Sequence, residues 1–288
     1  MSLYLIQYNI HSMYLNGSEV GGVQSMTVAK NAETTTIIKK GSPTVVKNFY
    51  KRPNVDVSFT KFLSNTAGAY FPGGFNLLQR PPQTFVLEAE VVGGGGLKFV
   101  DMILKSASYK FSNQGFFSET LTFNGSLLEG RASISARPYE MGTTYRRQDY
   151  NKSGSSNPAA VSALLAGGHA LLSTEVSFNA NYGDIPTYGN FYSVKSKYLS
   201  FPVDVSCTYE VLDRGYTHSG STYGNDGNNF IYDTVSNESI IIGGPPTINL
   251  GSNNFLVNID RSGGEAGQGD YSIFKFTYRN NDGSFTIS

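Results

Sequence analysis

Few residues of this chain could do chemistry, and their spacing does not favour it. His218 stands beside Ser219, a hydroxyl next to a base, but no Gly-x-Ser-x-Gly elbow surrounds the serine and no Asp is placed to orient the imidazole. Glu88 and Glu90 fall on one face of a predicted strand, as paired acids would, and as ordinary solvent-facing strand carboxylates also do. Cys207 is the only cysteine, which excludes a disulfide framework within the chain, and His11, His169 and His218 offer no zinc spacing. Gly93 to Gly96 lacks the Gly-Lys-Ser/Thr ending of a phosphate loop and joins two predicted strands, so it reads as a hairpin turn. The glycine-rich run 263–270 occurs once, and 224–229 has no bidentate Glu, so neither makes a calcium loop. The expectation is no enzyme, no cofactor and no metal.

The elements that must position these residues are strands. The chain has 288 residues, enough for two domains or one large one. Lys+Arg and Asp+Glu are both 22, and charged residues make up 15%, against about 25% in an ordinary soluble protein. Strong nonspecific attraction to nucleic acid or membrane is not expected from that balance. Gly is abundant at 32, and 19 Tyr with 19 Phe accompany no Trp, a mixture that favours strands joined by tight turns. The first residues show no basic leader, and no run of eighteen apolar residues exists, so synthesis in a cytoplasm without a signal peptide is expected.

An internal repeat organises the chain. Without a gap, residues 25–60 match residues 173–208 at 14 of 36 positions, where chance gives about two or three. The identities include Asn31/Asn179, Tyr50/Tyr198, Val55/Val203, Asp56/Asp204, Val57/Val205 and Thr60/Thr208. In each copy apolar and polar residues alternate, so Val55, Val57 and Phe59, and likewise Val203, Val205 and Cys207, are expected in the core. Cys207, at the place of Phe59, is then a space-filling thiol. A looser echo sets residues 98–106 against 254–262. Further strands are expected at 84–92, 97–104 and 239–242.

The fold class that follows is mainly β: two tandem homologous antiparallel β-sandwich or barrel domains, with one or two short helices. Domains are expected at 1–142 and 158–288, with a polar linker or exposed loop at 143–157. Asn157 as N-cap, Pro158 and a closing Gly167 mark the clearest helix. Charge divides between the halves. Residues 1–149 hold 15 basic and 10 acidic side chains, a net +5, and residues 150–288 hold 7 and 12, a net −5. Lys39, Lys40, Lys47, Lys51 and Arg52, interleaved with Phe49 and Tyr50, form a basic cluster such as a single-strand groove uses. Thr187, Tyr188, Leu199 and Ser200 replace four of its members in the second copy, so no repeated groove is implied.

The repeated block, Ser-x-x-Val-x-x-Asn-Ala, a variable loop with Gly, then Tyr-x-x-x-x-Val-Asp-Val-Ser-x-Thr, resembles the structural tail proteins of tailed bacteriophages, the tail tube family. Residues 50–59 and 198–206 carry most of it. The resemblance implies small β domains whose hairpins join neighbours into a hollow ring, with rings stacked into a tube through which DNA passes as cargo. It further implies a virion tail location after assembly in the host bacterial cytoplasm. Partners would be further copies of the chain, as a trimeric pseudohexamer or a hexamer, and other tail proteins, with no membrane insertion. The variable loops 31–40 and 179–188 are then the expected subunit contacts, represented by Thr34, Thr35, Thr36, Lys39 and Lys40 and by Tyr182, Asp184 and Tyr188. A tail-tip, baseplate or neck ring of the same fold is the alternative station. A receptor- or glycan-binding β-sandwich presenting the loop 217–229 is the alternative class.

Overall fold

A computed structural model describes residues 10–31, 34–41, 43, 45–50, 54–63, 83–91, 95–112, 116–125, 170–184, 197–213, 241–242, 248–251, 253–263, 272–280 and 286–287. The expected linker at 143–157, the helix at 157–167, the loop 217–229 and the pair His218 and Ser219 lie outside these residues. Every regular element described is a strand, and no helix long and apolar enough to cross a membrane occurs among the described residues.

Alternation builds the first half. In β6 (Asn54–Phe62), Val55, Val57 and Phe59 are buried and their neighbours half-buried, and β9 (Ser118–Gly125) does the same with Leu121 and Phe123. β6 pairs with β3 (Val23–Asn31) on one side and β9 on the other, and β9 pairs with β8 (Gly95–Ser112). A second layer is made by β2 (Ser18–Glu19), β1 (Ile10–Leu15) and β7 (Phe85–Val91), joined to the same β8. The layers face each other through Met13, Leu15, Leu87 and Ala89 on one side and Val57, Phe59 and Phe123 on the other. Phe85 packs edge-on against Phe123 at 5.2 Å between ring centroids. This is a β-sandwich arrangement.

β8 is eighteen residues long because it serves both layers, where only residues 97–104 were expected. Gly95 to Met102 pairs with β7, as the hairpin expected at the glycine run requires, and Ile103 to Lys110 pairs with β9. The strand changes layer at Asp101, one of two non-glycine residues described with positive φ, at 52°. The other is Asn16 (φ 50°), which with Gly17 (φ 79°) closes the two-residue hairpin between β1 and β2.

The second half continues the first. β10 (Ala170–Asp184) pairs with β8 over seven residues, Ser173 opposite Ser112 through Asn179 opposite Ser106. β11 (Lys197–Asp213), β15 (Ser272–Asn280) and β14 (Asn254–Gly263) follow in that spatial order. One eight-stranded antiparallel sheet thus runs β3-β6-β9-β8-β10-β11-β15-β14. Val203, Val205 and Cys207 are buried on β11, as Val55, Val57 and Phe59 are on β6. Three short strands, β12 (Ile241–Ile242), β13 (Ile248–Asn249) and β16 (Thr286–Ile287), form a separate small sheet, and Ile248 of β13 and the adjoining Leu250 enter the core. Between β13 and β14 the chain turns at Gly251, φ 67°. Buried Asn280 fixes that turn by donating from Nδ2 to Leu250 O at 2.7 Å and to Asn254 Oδ1 at 3.0 Å.

Two sequence alignments shift. The echo expected between 98–106 and 254–262 is displaced: Leu104 stands opposite Phe123 and Asn254 opposite Asn280, and Phe123 and Asn280 in turn stand opposite Val57 and Val205, which sets β8 against β14 at an offset of 150. At that offset the layer-changing Asp101 falls on Gly251. The β3·β6 ladder is also slid by two residues relative to β10·β11, with Val28 opposite Val57 but Val176 opposite Cys207. An even slip keeps every side chain on its original face, so the buried pattern survives it.

Candidate assembly surface

The first expected contact loop is a strand. Residues 34–38 form β4 (Thr34–Ile38), which pairs with β5 (Val45–Tyr50) as a separate two-stranded hairpin projecting between β3 and β6. Threonine and isoleucine are β-branched and favour extended backbone, so a run of five makes a strand where divergence between the copies had suggested a loop. Thr34, Thr35, Thr36, Lys39 and Lys40 are all exposed. Thr36 Oγ1 donates to Asn48 Oδ1 across the hairpin at 2.9 Å. Ile37, Ile38 and Val45 are 47, 62 and 53% exposed, an apolar patch on this hairpin.

The described part of the second expected loop, 179–184, is strand. Asn181, Tyr182, Gly183 and Asp184 continue β10 opposite Ser200, Leu199, Tyr198 and Lys197 after a bulge. Tyr182 is half-buried against the core, and burial pushes its hydroxyl up to about 12. Tyr198 lies across Gly183, where a Cβ would overlap its ring. Tyr188 lies outside the described residues. The structure therefore brings Thr34 to Lys40 together on one hairpin and sets Tyr182 and Asp184 on another ladder end.

The sheet face turned from the core is a field of hydroxyls. Thr60 and Thr120 meet at 2.9 Å, Thr122 donates to Ser58 at 3.1 Å, and Ser177 and Ser206 meet at 2.7 Å. Ser108 donates to Glu175 across the β8·β10 junction at 3.1 Å. The repeated aspartates each hold a cation there: Asp56 pairs with Lys105 at 3.3 Å and Asp204 with Arg279 at 3.0 Å. Such exposed pairs contribute up to about 1 kcal/mol and mainly neutralise the face.

Of the groups read earlier as possible chemistry, the side chains of Glu88 and Cys207 are described. Glu88 binds Lys98 across β7·β8 at 2.9 Å. Cys207 is 1% exposed, and desolvation pushes its thiol up to about 12, so it is no thiolate at neutral pH. Among the described residues no group of three or more His, Cys, Asp or Glu side chains could hold a metal ion. One charged cluster escaped the sequence reading. Lys61 Nζ lies 3.5 Å from Glu119 Oε2 in the core, and Tyr109 donates to Glu119 Oε1 at 2.7 Å. No described group opens this cluster to solvent: Lys61 is 1% exposed and Glu119 and Tyr109 are fully buried. Comparison with models of known protein families finds none that matches the chain, and no curated protein matches it either.

Proposed function

We propose that this chain is a virion structural protein of a bacteriophage tail, in which two tandem domains of one tail tube-like type form a hollow ring or tube that DNA traverses. The β8·β10 junction carries the reading. Two four-stranded sheets of like order, β3-β6-β9-β8 and β10-β11-β15-β14, meet edge to edge within one chain. Side-by-side repetition of one unit is what a ring requires, and here one such contact is already covalently tethered. The recurring left-handed residue at Asp101 and Gly251, at equivalent places in the two halves, supports the duplication. The hydroxyl-rich, charge-paired sheet face suits a wall that DNA slides past, since each unpaired Lys or Arg against a phosphate adds salt-dependent binding and drag.

Thr34, Thr35, Thr36, Lys39 and Lys40 on the projecting hairpin, with Tyr182, Asp184 and Tyr188, are the proposed further contacts. The station is the tube, with a tip, baseplate or neck ring as the alternative. Negative-stain images of the purified chain test the proposal: closed rings or tubes with a central hole are expected, and particles that stay monomeric at every concentration overturn it.

A further inference from the structure

Among the described residues the eight-stranded sheet ends on two strands that each have one strand neighbour. Among the described residues β3 pairs only with β6, and β14 only with β15. They are nine and ten residues long and neither contains proline; each carries one bulge, between Val23 and Ser25 in β3 and between Leu256 and Asn258 in β14, which leaves the remainder of each strand regular. Val257, at the bulge of β14, is 42% exposed.

Matching the strand orders of the two halves sets β3 in the place of β10 and β14 in the place of β8. Those are the two strands that join the halves. The edges without a strand partner among the described residues are therefore the counterparts of the edges already paired, one at each end of the sheet. We infer that β14 of one chain pairs with β3 of a second copy, repeating the β8·β10 junction between chains. This deepens the ring proposal and rests on its tandem reading.

Polarity allows it. Neighbours alternate direction throughout the sheet, so across eight strands β3 and β14 run oppositely. A copy added at β14 through its own β3 is antiparallel to β14 and keeps the direction of the first copy. The contact is head-to-tail and repeats by rotation, whereas β3 on β3 would stop at a two-fold dimer.

The register has two forms that differ by the slip described above. Carried over through sheet partners, Thr27 stands opposite Asn258; carried over through the ungapped repeat, it stands opposite Asp260. Thr27, Asn258 and Asp260 are all exposed, and either register keeps Thr27 on the face away from the core. An uninterrupted ladder is available from Asn258 to Ser262, on one side of the bulge.

The test is disulfide trapping in the full chain, with Thr27→Cys combined with Asn258→Cys in one variant and with Asp260→Cys in another. Native Cys207 is buried and stays silent. Within one chain the paired sites are seven strand spacings apart, roughly 34 Å at about 4.8 Å per strand, beyond the reach of any disulfide, so a bond must join two chains. After mild oxidation one double variant should run largely as covalent multimers on a non-reducing gel, with far-UV circular dichroism unchanged, while each single variant stays monomeric. Two results overturn the inference: wild-type rings with neither double variant cross-linked, which leaves the ring proposal standing, or cross-linking of Thr27→Cys alone. Cross-linked open chains without rings keep the edge pairing and overturn the ring. No assembly of any kind overturns both.

Discussion

Lys61 shows how a residue can be inside without belonging there. It continues the alternation of Val55, Val57 and Phe59, so its parity alone turns it inward, and Glu119 continues Leu121 and Phe123 on the strand opposite. That parity was legible in the sequence, but a reading that sorts charged residues to the surface discards it. Desolvation lowers the Lys61 pKa and the Glu119 charge opposes the fall; Tyr109 is pushed well above its ordinary value by the same burial. Removing one charge strands the other, so Lys61→Met should cost about 3–5 kcal/mol in urea unfolding, and adding Glu119→Leu should restore most of it. A double variant as unstable as the single would show that volume, not charge, governs the site. Cys207 tests burial more simply. Its thiol titrates near 12 in the fold against an ordinary value of about 9, so the stability it secures is intact below pH 9 and is lost as pH rises towards 12. Thermal melts at successive pH values should therefore decline less steeply for Cys207→Val over that window, and a thiol reagent should label the native chain only after urea is added.

At the scale of elements, the β4–β5 hairpin separates stability from assembly. Ile37, Ile38 and Val45 are exposed, so changing all three to Thr should alter the unfolding free energy by less than about 0.5 kcal/mol per site. The same variant should sediment as smaller species than the parent if the patch packs on a neighbour; unchanged sedimentation would remove the hairpin from the interface. Its existence was missed because sequence divergence between copies was taken for loop, although five β-branched residues in a row already state extended backbone. The alternation in β6 and β11 was legible because a period of two is a local signal, whereas of the glycine run expected as a turn Gly95 and Gly96 already stand in the ladder opposite Val91 and Glu90. The full length of β8 was not legible. Its two halves face different partners, and the bend between them depends on a left-handed Asp101 that residue type does not announce. The register offset between β8 and β14 was also hidden, since bulges at different places in the two ladders break any ungapped comparison.

For the whole molecule, the proposed bore decides between three chains and six. If the eight-stranded sheet of each chain lines it, with strands about 4.8 Å apart, three chains trace roughly 115 Å and a backbone diameter of roughly 37 Å before strand tilt widens it. Side chains then leave a passage on the scale of a DNA duplex. Six chains contributing both halves would double that diameter to roughly 73 Å, a wall too distant to guide one duplex. Native mass spectrometry should accordingly show rings of three times the 31.3 kDa chain mass; six would mean that one half of each chain lies off the bore. The halves carry +5 and −5, so each proposed contact of β14 with a neighbour's β3 would set an acidic half beside a basic one. The attraction reaches about 10 Å in 0.1 M salt and about 3 Å in 1 M. Ring formation followed by light scattering should therefore slow as salt is raised, while preformed rings, held by ladder hydrogen bonds and buried contacts, should persist. Rings that dissolve in salt would show that charge, and not the strand edge, holds the chains together.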